Sequence, residues 1–177
     1  MYRFVMLTLG LSLTLVASGW AVEPNADQAR AIAEIKILGG TVTVDETSPG
    51  KPMTVFLAGW RITDAMLEHL KGLPQLQSLG LMKTWVTDAG LAHLKELPQL
   101  RMLSLMATKI TDAGMEHLKG LTQLQSLSLT DTNVSDAGLE HLKGLTKLQV
   151  VWLVRTKVTD DGVKKLRQAL PTCRIER

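Results

Sequence analysis

Histidine recurs at a constant interval of 24 residues and could supply metal ligands. The positions are His69, His93, His117 and His141. If each histidine lies on a helix of its own, neighbouring helices pack about 8–10 Å apart, whereas zinc holds its nitrogen ligands at about 2.1 Å. The spacing therefore favours a structural residue on the outer side of each helix, and we predict no metal site and no cofactor.

Aspartate recurs with the same period and could suggest a calcium site. The column is Asp64, Asp88, Asp112, Asp136 and Asp160. Each repeat contributes only one carboxylate to this column, and a threonine or serine always precedes it. In the last repeat a second aspartate, Asp161, follows Asp160. Such side chains accept free backbone N–H groups at a helix start, and an acidic residue suits the positive end of the helix. We interpret the aspartates as helix caps, and the preceding residue, as at Thr87 before Asp88, is the alternative cap.

The candidate nucleophiles lack the partners that activation requires. Serines fall on predicted strands at Ser78, Ser104, Ser126 and Ser128. The histidines fall on predicted helices beyond a leucine layer, so no serine comes within about 3 Å of a histidine. The sequence contains no GxSxG, no HExxH and no phosphate-binding glycine loop. We interpret Cys173, the one cysteine, as a packed or free thiol, and predict that the protein is not an enzyme.

These columns belong to a 24-residue repeat. Its copies begin TDAMLEHLKGL at Thr63, TDAGLAHLKEL at Thr87, TDAGMEHLKGL at Thr111, SDAGLEHLKGL at Ser135 and TDDGVKKLRQAL at Thr159. The connecting LxxLxLxxTxV alternates as a half-buried strand does, and leucines such as Leu91, Leu94 and Leu97 form an apolar stripe on a short helix. One copy cannot bury its own leucines, so the copies stack. Strands about 4.8 Å apart against helices about 10 Å across place the sheet on the concave side.

The units resemble leucine-rich repeats in which a threonine replaces the usual asparagine, at Thr84, Thr108, Thr132 and Thr156. The sequence pattern TDAGLxHLKGLxxLQxLxL is similar to repeats of planctomycete-type bacteria and to those of F-box proteins that select ubiquitination substrates. The resemblance covers Val55 to the C-terminus. It implies an α/β fold, a right-handed solenoid with a parallel concave sheet and convex helices. No F-box-like helical module precedes the repeats, so a substrate-recognition subunit of that type is a remote alternative, as is a hydrolase.

The two ends of the chain have different compositions from the repeats. Residues 1–21 are predicted to be a signal peptide, with Arg3, an apolar stretch and small residues ending at Ala21. Its apolar run is shorter than the roughly 20 residues of a spanning helix, so we expect no membrane span in the mature chain, an uncleaved anchor being the alternative. Residues 22–52 are predicted to cap the solenoid with helix 25–38 and strand 41–44. Residues 53–177 hold the repeats and end in a half-repeat strand, 172–175.

The outward-facing strand residues vary between copies, while the residues of the repeat pattern do not. This contrast suggests that the outward-facing positions are free to specialise. Contiguous exposed apolar surface usually marks an interaction site, and aromatic anchors often dominate binding. The candidate binding residues are Phe56, Met82, Met102, Met106, Trp152 and Val154 on the concave face, with Trp60 and Trp85 on its rim. The alternative is that Phe56, Trp60 and Trp85 pack under the N-terminal cap and Trp152 under the C-terminal tail.

The charge balance disfavours nucleic acid as a partner. The chain has 20 basic and 17 acidic residues, and the basic ones are spread among the acidic ones instead of forming a clustered footprint. We expect a non-catalytic module that binds a protein or peptide on the concave face, exported by a bacterium to the periplasm, cell surface or medium. A monomer is expected, and a structural or self-assembling cell-envelope protein is the alternative.

Overall fold

The computed structural model describes residues 26–48 and 51–177. The predicted signal segment, 1–21, and Asn25 lie outside the described residues. The strands are β1 Thr41–Val44, β2 Met53–Phe56, β3 Leu76–Gly80, β4 Met102–Ser104, β5 Ser126–Ser128, β6 Val150–Trp152 and β7 Arg174–Glu176. The α-helices are α1 Ala26–Ile37, α2 Asp64–Leu67, α3 Asp112–Met115, α4 Asp136–Leu139 and α5 Asp160–Ala169.

The described strands form one sheet in sequence order. β1 pairs with β2 antiparallel, and every later pair is parallel. The register follows the repeat, because Ser78 pairs with Met102, Met102 with Ser126 and Ser126 with Val150. Val150 pairs in turn with Arg174, so the last strand begins two residues later than the predicted 172–175. Pairing with a neighbour, not local composition, sets its start.

One apolar core runs between the sheet and the helices. The inward residues of the strands, such as Leu79, Leu103 and Leu127, are buried, and so are the helix residues Leu91 and Leu94. Burying a leucine side chain stabilises a fold by about 1.5–3 kcal/mol. Each of these side chains lies against the same continuous layer, so the core gives no repeat a closed interior of its own. This agrees with the predicted α/β architecture of a parallel sheet backed by helices.

The helical halves are less regular than the leucine stripe predicts. α2, α3 and α4 are single turns of α-helix continued by 3₁₀ turns, and the second copy has a 3₁₀ helix, Gly90–Glu96, with no α-helix. Among the helices of the repeats, only α5 is long, at ten residues. Four copies carry a glycine inside this segment, at Gly90, Gly114, Gly138 and Gly162, and glycine in a helix interior costs about 1 kcal/mol relative to alanine, although α5 forms in spite of its glycine. Within the few residues of one copy, the chain also has to turn back toward the next strand.

The turn after each strand is built the same way in four copies. Lys83, Ala107, Asp131 and Arg155 each have a φ between 54° and 58°, the left-handed region. One residue later, a threonine hydroxyl donates to the carbonyl three residues before it, as from Thr84 to Leu81 at 2.9 Å. The same bond recurs at Thr108, Thr132 and Thr156. This local bond holds the strained turn and accounts for a buried polar side chain in an apolar layer.

Four of the five aspartates of the column bond to the next copy instead of to their own helix, and the fifth, Asp160, pairs with Arg177. Asp88 accepts the backbone N–H of Thr111 at 2.8 Å and its hydroxyl at 2.5 Å. Equivalent bond pairs join Asp64 to Thr87, Asp112 to Ser135 and Asp136 to Thr159. The interpretation of each aspartate as the cap of its own helix is therefore wrong, although Asp112 also accepts the N–H of Gly138 in the next helix at 3.0 Å. The preceding hydroxyl takes that role, since Thr111 accepts the N–H of Ala113 at 3.3 Å, with equivalents at Ser135 and Thr159.

A missing side chain makes room for each of these carboxylates. A Cβ added at Gly114 would overlap Oδ1 of Asp88. The same overlap would occur between Gly90 and Asp64, Gly138 and Asp112, and Gly162 and Asp136. The first copy has Met66 at this position, and the residue 24 places before Asp64 is Gly40, which carries no carboxylate. Glycine therefore occurs at this position only in copies that follow an aspartate.

The N-terminal helix ends in a glycine turn and packs on the first repeat. Gly39 has a φ of 80°, and the N–H groups of Gly39 and Gly40 bond to the carbonyls of Lys36 and Ile35 at 3.0 and 2.9 Å, which is a Schellman motif. Glu34 Oε2 lies 2.6 Å from Nδ1 of His69. Together with the antiparallel pairing of β1, these contacts support the proposal that α1 and β1 cap this end of the sheet.

Replacing Gly114 with alanine should lower the free energy of unfolding by about 1–3 kcal/mol, because the new methyl group overlaps the carboxylate of Asp88. Gly120→Ala in the same copy is the matched control, since a Cβ there meets nothing within 4 Å. Urea denaturation followed by circular dichroism measures both. Equal stability of the two variants would contradict the assigned contact.

The stack should lose stability in acid through Asp136. The hydroxyl and N–H of Thr159 hold the pKa of this carboxyl below its ordinary value. The stabilising contribution is therefore present above the unfolded pKa, about 4, and is lost as the pH falls through the lower folded pKa. Asp136→Asn should lower the melting temperature at pH 7 and match the parent near pH 2. Asp161→Asn, which removes the same charge from the first turn of the next helix, α5, is the control. A constant difference between Asp136→Asn and the parent at every pH would exclude this linkage.

Candidate binding surface

The concave face of the sheet has a floor of small side chains. The inward leucines of β3, β4 and β5 leave alternate residues pointing out, as the period of a strand requires. The outward row through the centre of the sheet is Phe56, Gly80, Ser104, Ser128 and Trp152, paired across neighbouring strands. Small residues fill its middle and an aromatic residue stands at each end.

These residues line a groove of about 480 Å³. The outward side chains around it are Thr54, Phe56, Ser78, Met102, Ser104, Met106, Ser126, Ser128, Thr130 and Trp152, with Gly80 in the floor. None of them is charged. Two methionines lie among the hydroxyl side chains of this face, so the groove offers adaptable apolar contact together with hydrogen-bond donors and acceptors.

Phe56 is held at one end of the groove by the glycine beside it. A Cβ at Gly80 would overlap Cδ2 of Phe56, so the ring lies directly on the backbone of β3. The ring remains 39% exposed. Trp152, half-buried, stands on β6, four strand spacings or about 19 Å away. The two aromatic residues therefore define the length of the groove.

The binding residues predicted from the sequence divide into those that line the groove, those beside it, and the two tryptophans of the turns, which are described below. Phe56, Met102, Met106 and Trp152 line the groove, and Met102 is 50% exposed. The half-buried Met82 and Val154 are not among the lining residues. The structural role of Gly80 was missed, although its position between Phe56 and Ser104 in the central row was a readable signal.

Trp60 and Trp85 lie outside the groove, on the turns that follow β2 and β3. They are 67% and 57% exposed, so neither packs under α1 and β1. The guanidinium of Arg61 lies 5.2 Å from the centre of the Trp60 ring, and the ammonium of Lys109 lies 4.2 Å from that of Trp85. Both are cation–π distances. We call Trp60, Arg61, Lys83, Trp85 and Lys109 the tryptophan edge.

Another pair of turn residues meets at the far end of the same edge. Arg155 donates from Nε and Nη2 to the two carboxylate oxygens of Asp131. The pairing holds the pKa of Asp131 below its ordinary value and raises that of Arg155. Both groups are exposed to solvent screening, so this pair orients the two turns beside Trp152 and contributes little to stability.

The residues that could support catalysis do not meet. Within the described residues, no cluster of three or more histidine, cysteine or acidic side chains could hold a metal ion. The serines of the concave face and the histidines of the helical halves lie on opposite sides of the leucine layer. His69 contacts Glu34, which joins the first repeat to α1. None of the helices that the structure describes is long and apolar enough to cross a lipid bilayer.

The chain is similar to leucine-rich-repeat proteins in sequence and in fold. The leucine-rich-repeat family profile matches residues 120–143, which is the length of one repeat. A comparison with curated proteins finds no match.

Several solved structures share the fold. Internalin C2 from Listeria monocytogenes is 25% identical with a TM-score of 0.55, over 70% of this chain and 50% of that one. A leucine-rich-repeat protein from Leptospira interrogans is 23% identical with a TM-score of 0.51, over 62% and 27%. The leucine-rich-repeat ectodomain of the receptor kinase SOBIR1 from Arabidopsis thaliana is 14% identical with a TM-score of 0.55, over 86% and 91%. This chain thus spans half the length of internalin C2.

Cys173 should react slowly with thiol reagents while the protein is folded. The residue is buried, and burial raises the pKa of its thiol, so the reactive thiolate is scarce and shielded. At pH 8, Ellman's reagent should modify the native chain at least tenfold more slowly than the chain unfolded in guanidinium, where one thiol per chain should react. Equal rates would mean that β7 detaches from β6 on the timescale of the assay.

Proposed function

We propose that this leucine-rich-repeat protein is a non-catalytic binding module whose concave groove holds an uncharged segment of a protein partner. One observation carries the proposal: the groove is lined without a single charged side chain, and an aromatic residue stands at each end. Desolvating a charge in such a groove would be costly without a partner for it. An apolar or neutral polar segment meets no such cost.

The groove binds through side chains, because the backbone of the sheet is already used. β3, β4 and β5 are paired on both sides, so a ligand on this face cannot add a strand. The hydroxyls of Ser78, Ser104 and Ser128 can instead bond to the backbone of the ligand. Its side chains would pack against Phe56 and Trp152, the residue types that most often dominate binding energy.

The dimensions of the groove suit a short extended peptide. The distance of about 19 Å between the aromatic ends corresponds to about six extended residues at about 3.3 Å each. Such a segment would cross the strands at a steep angle. It would carry a bulky apolar residue near each end and smaller residues over Gly80.

The composition of the N-terminal segment supports export of this module. Arg3, the apolar stretch from Phe4 to Val16 and the small residues before Ala21 have the composition of a signal peptide. Two of the similar solved structures come from bacteria. We therefore propose a bacterial exported protein that works in the periplasm, at the cell surface or outside the cell.

Selection from a peptide display library on the full chain tests the proposed groove. Enriched peptides should share an uncharged stretch of about six residues with apolar ends. The double variant Met106→Ala/Trp152→Ala should raise their dissociation constants at least tenfold in calorimetric titrations, because two apolar contacts are lost.

Trp85→Ala is the matched control, since it removes an exposed tryptophan outside the groove and should leave these dissociation constants unchanged. Circular dichroism must show that all variants fold. Peptides that bind the groove variant and the parent equally, or that depend on charged residues, would refute the proposed function.

A further inference from the structure

The three most exposed large apolar side chains of the described chain belong to one region. Ile37 is 83% exposed, Trp60 67% and Trp85 57%. All three lie outside the groove and outside the core. Monomeric proteins seldom keep large apolar side chains together on the surface without a use for them.

Backbone contacts bring these residues to the same edge of the sheet, where β2 and β3 end. Ile37 is the last residue of α1, and three residues later a Cβ at Gly40 would lie 2.5 Å from Cδ2 of Leu57, at the end of β2. Trp60 follows Leu57 by three residues. The N–H of Trp85 bonds to the carbonyl of Ile62 at 2.9 Å, so the turns that carry the two tryptophans lie side by side.

Cations without acidic partners surround these rings. Among the described residues, Arg61, Lys83 and Lys109 form no ion pair. On the convex side, by contrast, lysines pair with glutamates, as Lys71 does with Glu68 at 2.8 Å. Lys119 and Lys143 do the same.

In the part of the chain that the structure describes, the acidic residues that follow the tryptophan turns form no ion pair with these cations. Asp64 and Asp88 follow the tryptophan turns, but both oxygens of each carboxylate accept hydrogen bonds from the next copy, at Thr87 and Thr111. Both carboxylates keep their negative charge, but their oxygens are occupied by these neutral donors. The cations beside the rings therefore remain free to meet an anionic partner.

We propose that the tryptophan edge, with Ile37, docks the protein on an anionic lipid surface. Tryptophan is enriched at the level of lipid headgroups because its ring is apolar and its N–H is polar. Lysine and arginine near the surface are attracted to anionic lipids. An aliphatic side chain such as Ile37 can enter the apolar part of a lipid layer, which an acidic glycan does not offer. Docking is peripheral, with the side chains entering the interfacial layer and no segment crossing the bilayer.

This orientation leaves the concave groove accessible. The tryptophan edge lies at the carboxyl ends of β2 and β3, whereas the groove opens from the face of the sheet. A docked protein would present the groove to the side, parallel to the membrane surface. The inference does not depend on the proposed function, because none of its residues lines the groove.

Bromine quenching of tryptophan fluorescence tests the docking directly. The full chain with Trp20→Phe and Trp152→Phe keeps Trp60 and Trp85 as its tryptophans, since the chain has four. It is mixed with vesicles of phosphatidylcholine and phosphatidylglycerol at 7:3, with or without brominated acyl chains. Insertion of the edge should give a blue shift and quenching by bromine, both stronger than with pure phosphatidylcholine. Because the reporters are on the edge, binding by the apolar Phe4–Val16 segment alone would give neither.

Charge-neutralising variants in the same background give the second readout. Arg61→Gln/Lys83→Gln/Lys109→Gln should weaken binding to the anionic vesicles at least fivefold. The matched control Lys95→Gln/Lys164→Gln/Lys165→Gln removes the same charge from other exposed positions and should weaken it less than twofold. Circular dichroism checks that both fold.

Three outcomes would overturn the proposal. One is sedimentation of the chain with vesicles without bromine quenching, which would assign binding to another segment. The second is equal weakening by both triple variants, which would leave only net charge as the cause. The third is that soluble polygalacturonate binds with the same dependence on the edge while vesicles do not, which would make the surface a site for an acidic glycan.

Discussion

The stack depends on a carboxylate of one copy that lies where the next copy has no Cβ. The shared leucine core is large but has no direction, so by itself it would tolerate repeats that slide past one another. The carboxylate has to meet both the N–H and the hydroxyl of one threonine or serine, as Asp88 meets Thr111. Only one offset between copies satisfies both bonds. That offset is the same 24-residue register that pairs Ser78 with Met102 in the sheet.

Because inward-facing and edge residues hold the stack of repeats together, the outward-facing side chains of the strands are not needed for its stability. The backbones of Ser104 and Ser128 bond to the neighbouring copies, but their side chains add no hydrogen bond to the stack, and methionine, phenylalanine or tryptophan can replace serine in the same rows. Phe56 shows how the face gains shape without disturbing the frame, since its ring lies on the bare backbone of Gly80. The groove is thus a product of side-chain size on an unchanging sheet.

The period of the sequence was sufficient to predict the strands, their buried leucines and the concave face, because those follow from alternation and stacking. It was misleading for the aspartates. A pattern within one copy does not reveal which neighbour a side chain reaches, although Met66 in the one copy that follows no aspartate was the available sign. Likewise, Met82 and Val154 share a row with Met106 but lie outside the groove. Whether an outward side chain lines the groove depends on the sizes of its neighbours, which spacing does not contain.

The bonds between copies also have a polarity. The second, third and fourth copies each offer an acceptor to the copy after and a donor to the copy before, so these three are interchangeable units with matching ends. Duplicating one of them would preserve every junction and widen the sheet by one strand spacing, about 4.8 Å. The first copy could not be inserted among them, because Met66 would occupy the space of a carboxylate. The width of the face can therefore change in whole steps by tandem duplication, and its starting end is specified by a single methionine.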